Sequence, residues 1–341
     1  MKIRFKNIFT HFIILQGSLL FLSSCFKEDE RIFPLPPGDA TVFTFEKSIY
    51  DFHSYFDFST DSVKAFSLND SWQIEFGCLP ESWDIRVNSS AYYQVFDTGD
   101  TSFNGIVSVT DPAKYIFDAS GGNPDSSAFS TWIDRTASPY VPTNRVFLVG
   151  QYDGLRVKPL WKIRIESVTD TSYQFTYAGF PSGVPVSVTL GKDGSVNYLQ
   201  YNLSDQSIVR NEPPSGAYDL LFTQYGTILY DDNGVPTPYF VRGILLNPNQ
   251  VQAALDTIHP FADITYDLIR DLQFSNRIDI IGHEWKDVKV DQAGNTAEYF
   301  VNTKLNWLVK DSEGFIYKMR FIEYYNSLAE AGYTTFEYQR L

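Results

Sequence analysis

Cysteine is nearly absent: the 341 residues hold two, Cys25 and Cys78. That scarcity excludes a disulfide-stapled fold and any zinc site built from Cys-x-x-Cys pairs. Imidazole is scarce too, with four histidines in all, and no Cys/His cluster has metal-ligand spacing. Positive charge is in deficit, 27 basic against 41 acidic residues for a net charge of −14. Nucleic-acid binders neutralise phosphates with basic grooves, so that class is set aside. Catalytic motifs are missing as well. There is no Gly-x-Ser-x-Gly elbow, no P-loop and no strand followed by Gly-x-Gly-x-x-Gly. His283-Glu284 begins like a zinc-protease motif, but Asp287 stands where the second histidine belongs. Acidic residues are plentiful, yet nothing singles out two of them as a glycosidase pair.

What is present begins with an address. Met1–Lys6 is basic, and Ile8–Leu22 is an apolar run broken by Thr10, His11, Gln16, Gly17 and Ser18, too short and too interrupted to span a bilayer. Leu22-Ser-Ser-Cys25 looks like the lipobox of bacterial lipoproteins, which implies residues 1–24 as signal peptide and Cys25 as the acylated anchor in the lipid bilayer. An ordinary signal peptide with a chance cysteine is the alternative. Phe26-Lys-Glu-Asp-Glu-Arg31 is similar to the surface-export signal of Bacteroidetes lipoproteins, and reads equally as a solvated tether. Phe33-Pro-Leu-Pro-Pro-Gly38 is a stiff spacer completing a tether over 25–40. With Cys25 acylated, Cys78 has no partner and reads, beside Phe76 and Leu79, as a buried inert thiol.

The remainder reads as β structure. With 28 Phe and 22 Tyr and few helical patterns, the composition favours strands. Leu305–Val309, a turn at Asp311–Gly314, Phe315–Ile322 and Tyr333–Tyr338 form a strand series in which alternate residues are apolar. Arg145–Val149, Trp161–Ile165 and Tyr173–Tyr177 repeat that layout. Trp161-Lys-Ile-Arg-Ile165 and Tyr317-Lys-Met-Arg-Phe321 share one pattern. Likewise Asn197–Ser204 matches Tyr55–Ser59, and Ala217–Tyr225 matches Ser71–Phe76. The expected fold is mainly β: two related antiparallel units, 41–195 and 196–341, with a short helical insertion in the second. That insertion is placed at Val251–Leu272, broken by Pro260, from the helical spacing of Phe261, Ile264 and Leu268.

Several of these blocks together resemble one family. Phe56-Asp-Phe-Ser-Thr60 precedes Trp72-Gln-Ile-Glu-Phe76; Tyr218-Asp-Leu-Leu-Phe222, Ile281-Gly282 and Trp285-Lys286 follow, then Tyr317–Asn326 and Gly332–Tyr338. The chain is similar to the HmuY-like lipoproteins of Bacteroidetes, in a longer two-unit form. That resemblance implies an outer-membrane, surface-exposed, non-enzymatic protein that captures haem or a related porphyrin between His or Met side chains. An outer-membrane transporter is the implied partner. On this chain the candidates for haem ligation are His283, which has Trp285 nearby to stack on a porphyrin, and His259 at the helix break. His53 reads as a surface residue and Met319 as core. The tryptophans read mostly as core. A surface module for glycan or peptide that binds no haem is the rival reading; an enzyme ranks last.

Overall fold

Strict alternation makes strands, and this chain has enough of it to leave almost nothing else. The computed structural model describes residues 38–109, 114–230, 233–290 and 297–341. Cys25, the signal segment 1–24 and the tether up to residue 37 lie outside them. No helix among the described residues is long and apolar enough to cross a membrane.

Eleven strands come from the first half: β1 (Thr41–Thr44), β2 (Phe52–Asp57), β3 (Ser62–Leu68), β4 (Ile74–Gly77), β5 (Ile85–Val87), β6 (Tyr93–Asp97), β7 (Ile133–Asp134), β8 (Val141–Pro142), β9 (Val146–Tyr152), β10 (Val157–Val168) and β11 (Ser172–Gly179). Eleven follow: β12 (Val186–Gly191), β13 (Tyr198–Asn202), β14 (Ser207–Val209), β15 (Leu220–Tyr230), β16 (Pro236–Leu246), β17 (Gln252–Asp256), β18 (Lys286–Val290), β19 (Ala297–Val301), β20 (Asn306–Lys310), β21 (Ile316–Tyr325) and β22 (Ala331–Arg340).

The pairing repeats with a period of eleven strands. One five-stranded sheet has the order β12-β11-β10-β9-β6 and the other β1-β22-β21-β20-β17. Two four-stranded sheets run β14-β13-β4-β5 and β3-β2-β15-β16, and the hairpins β7–β8 and β18–β19 correspond. Each half therefore lends its opening strands to the other. Hairpin β2–β3 adds to β15 through Leu220↔Phe56 and Leu221↔Tyr55. Hairpin β13–β14 adds to β4 through Leu199↔Phe76 and Tyr201↔Ile74. β1 closes against β22 through Phe43↔Phe336.

This exchange defines two cores. The first lobe is contiguous, from Ile74 to Leu203, around Phe76, Phe129, Trp132, Phe147, Tyr173 and Phe175. The second joins Phe45, Phe56 and Phe58 to Leu220–Tyr338, around Phe222, Trp285, Trp307, Phe321 and Phe336. Its rings interlock: Phe45 and Phe222 lie 4.3 Å apart between centroids, Phe222 and Phe336 5.6 Å. Such rings each remove roughly 150–250 Å² from water and add edge and offset contacts. Met319 is wholly buried there, opposite Trp307 in the β20–β21 ladder, as its alternation with Phe321 predicts. Cys78 is buried in the first lobe, where burial pushes its thiol up to about 11, so it is inert at neutral pH.

The helical stretch expected over Val251–Leu272 does not form as such. Gln252–Asp256 is strand β17, pairing with β20 from Gln252↔Lys310 to Asp256↔Asn306. Only a 3₁₀ turn at Phe261–Asp263 and the four-residue helix α1 (Tyr266–Ile269) remain. Ala253 and Ala254 face different cores, and an open sheet edge beside β20 outweighs the helix propensity of Gln252-Ala-Ala-Leu255. Asp256 then stops the strand by accepting the backbone N–H groups of Ile258 and His259.

Candidate functional site

The two halves match in strand order but not in strand length, and two of the differences fall on neighbouring hairpins. β15 and β16 have eleven residues each, against four and three in β4 and β5. β18 and β19 have five each, against two each in β7 and β8. Both lengthened hairpins flank one cleft of about 540 Å³, within the span of roughly 300–1,000 Å³ usual for small-molecule sites. Leu229, Tyr239, Phe240 and Val241 line it from one hairpin; Lys286, Val288 and Tyr299 from the other. The arms also carry exposed apolar groups, Ile228, Tyr230 and Val235 on one, Val290 and Phe300 on the other.

The base of the cleft is positioned by backbone. Ile244 and Gly282 exchange hydrogen bonds, Ile244 N–H to the Gly282 carbonyl at 2.9 Å and the reverse at 3.1 Å, which sets His283 beside β16. Gly282 has φ +59, and a Cβ on Gly243 would lie 2.3 Å from the Gly282 oxygen, so both glycines are required for this approach. His283, Arg242 and Lys286 then converge. Lys286 Nζ donates to the Arg242 carbonyl and sits over the Trp285 ring, 4.2 Å from its centroid. Burial, then the Arg242 charge, brings the Lys286 ammonium down to about 7. Burial, then Lys286, lowers His283. Arg242 lies over the Tyr50 ring at 4.3 Å, and Tyr50 Oη donates to Tyr299 Oη at 3.1 Å. Its Nε is buried with no hydrogen-bond partner. Among the described residues, neither Arg242 nor Lys286 forms an ion pair, although Glu284 and Asp287 stand exposed in the same cleft.

Of the two histidine candidates, only His283 lines this cleft. His259 lies in the turn after β17, with Nδ1 2.8 Å from Asp256 Oδ2 and its carbonyl accepting from Asn306 Nδ2. His53, expected at the surface, is 4% exposed. Its Nδ1 is 2.7 Å from Thr223 Oγ1 and its Nε2 3.2 Å from Ser90 Oγ, where β2 pairs across to the other half of the chain. Trp285 is not a porphyrin platform, being fully buried and stacked on Phe321 at 4.1 Å. Trp72, Trp132 and Trp307 are likewise core, as expected. Sequence reasoning passed over Arg242 and Lys286. The visible signal was a lone charge inside the apolar run Phe240-Val-Arg-Gly-Ile-Leu-Leu246.

A family model described as HmuY protein matches residues 50–338. Among solved structures, a protein of Bacteroides vulgatus described as HmuY-like and haem-binding is 12% identical; 88% of this chain and 90% of that chain are covered, with a TM-score of 0.21. The apo HmuY analogue of Tannerella forsythia is 8% identical, covering 90% of this chain and 98% of its own, with a TM-score of 0.25. Apo PinO from Porphyromonas gingivitis is 11% identical over 89% of this chain and 97% of its own, with a TM-score of 0.24. The search among curated proteins gave no match.

Proposed function

The chain belongs to the HmuY family, and on that premise we propose that it is a non-enzymatic capture protein for haem or a closely related porphyrin. The cargo would enter between hairpins β15–β16 and β18–β19, with His283 as the side chain available to iron. One observation carries this reading: hairpins β15–β16 and β18–β19, both longer than their counterparts in the other half, flank one cleft. Length that the fold does not need, apolar on its exposed face and cationic at its base, fits a flat amphiphile with acidic groups. Arg242 and Lys286, lining the cleft without an ion pair among the described residues, support the same fit.

Residues 41–195 and 196–341 belong to this proposal as related units, the second of which grew the arms. So does the address. Acylated Cys25 would hold the protein at the outer membrane, facing outward, where it would deliver its cargo to an outer-membrane transporter. The test is a haemin titration of residues 31–341 read by absorbance, oxidised and reduced. A Soret shift that saturates at a single equivalent and is altered by His283→Ala, but not by His259→Ala, is the expected result. Spectra indistinguishable from free haemin would overturn the reading and leave a glycan or peptide as the ligand to seek.

A further inference from the structure

Deepening that reading and resting on it, we infer that Arg242 and Lys286 form a carboxylate anchor, so that the cleft recognises the acidic side chains of a carboxylated tetrapyrrole whether or not its ring holds a metal. Two features of the site point this way. Arg242 keeps a buried Nε without an acceptor, and Lys286, hydrogen-bonded only to the Arg242 carbonyl, still has donors to give. The guanidinium and the ammonium both line the cleft without an ion pair among the described residues, and a ligand carboxylate between them would supply an acceptor to each. The other feature is a shortage of iron ligands. Met319 is wholly buried, His53 is engaged by Thr223 and Ser90, and His259 lies outside the cleft, which leaves His283 as the one imidazole lining it among the described residues. A site with two unpaired basic groups and a single imidazole draws its selectivity from the acid groups more than from the metal.

The anchor also has a defined geometry to work from. Arg242 is held in the β15–β16 ladder opposite Gln224 and braced by the Tyr50 ring, so its guanidinium is pre-placed. Lys286 is fixed at the start of β18 over two rings, Trp285 and Tyr324. Leu229, Phe240, Val241 and Val288 offer the apolar walls along which the macrocycle would lie.

The experiment uses residues 31–341, which keep every described residue, with three ligands in one detergent buffer: haemin, metal-free protoporphyrin and its dimethyl ester, followed by tryptophan quenching and absorbance. Metal-free protoporphyrin is expected to bind within about threefold of haemin. The ester is expected to bind at least about tenfold more weakly, since it has no carboxylate charge to pair with the guanidinium and the ammonium. Arg242→Gln and Lys286→Met should lower affinity for the acid and leave the ester unchanged, which separates an anchoring role from a general loss of folding. Haemin bound with protoporphyrin unbound would overturn the anchor and keep the capture reading. Ester bound as tightly as acid would also overturn the anchor. No binding of any of the three would overturn the capture reading itself.

Discussion

Lys162 and Lys318 hold the same position in the two halves of the chain and do the same work. Each is 3% exposed on the middle strand of its five-stranded sheet. Lys162 Nζ donates to the Pro181 carbonyl at 3.0 Å and the Ile106 carbonyl at 3.5 Å; Lys318 Nζ donates to the Phe261 and Ile264 carbonyls at 2.8 and 3.0 Å. Lys162 and Arg164 cap the Phe103 ring, and Lys318 and Arg320 cap Phe261. In each half a Lys-x-Arg pair thus pins a crossing loop onto the sheet.

Lys318→Met should destabilise the protein by about 1–3 kcal/mol, because two loop carbonyls lose their donor at a buried site. Urea unfolding measures it, and Lys162→Met should show a loss of similar size. A neutral result at both positions would mean the loops hold without the clamps.

A fragment 41–195 should fold poorly. It carries β1, β2 and β3 without their partners β22 and β15, and it lacks the β13–β14 hairpin that completes the sheet of β4. A fragment of about residues 69–210, which keeps the first core intact, should unfold cooperatively. Circular dichroism melts of both fragments would decide, and the reverse order of stability would contradict the exchange.

Stability should fall on acidification through His53. Burial lowers its imidazole from 6.5 to about 4, so in that window the unfolded chain takes up a proton that the folded one refuses. The folded state therefore weakens as pH drops through it, by up to about 3 kcal/mol in total. His53→Gln should flatten that part of the profile in urea titrations run between pH 7 and pH 4. An unchanged slope would show that other groups carry it.

Gly243→Ala should damage the cleft without touching its side chains. The added methyl would meet the Gly282 oxygen at 2.3 Å and push the His283 segment off β16. Both stability and ligand affinity should fall, whereas alanine at Gly194, where a Cβ meets nothing and φ is not positive, should leave affinity unchanged. Paired titrations of the two variants give the comparison.

Cys25→Ala should move the protein from the membrane to the soluble fraction, since no other anchor is read from the sequence. Continued sedimentation with membranes would remove the lipobox assignment.

Period-two alternation is a local property, so the chain itself told where its strands lie and that they come twice. Trp161–Ile165 and Tyr317–Phe321 could be aligned by eye, and Met319 and Cys78 could be assigned to the core from their neighbours alone. Pairing between distant segments is not local, and there the sequence was silent or misleading. Gln252–Asp256 carries helix-forming residues, yet the vacant edge of β20 made it a strand. His53 has no visible reason to be buried until β2 crosses to the other half and meets Thr223. Arg242 is distant in sequence from His283 and Lys286 and meets them because Ile244 and Gly282 bridge. The alternation of residues decided what each segment is; long-range hydrogen-bond pairing and packing decided which segments become neighbours, and the site is made of neighbours.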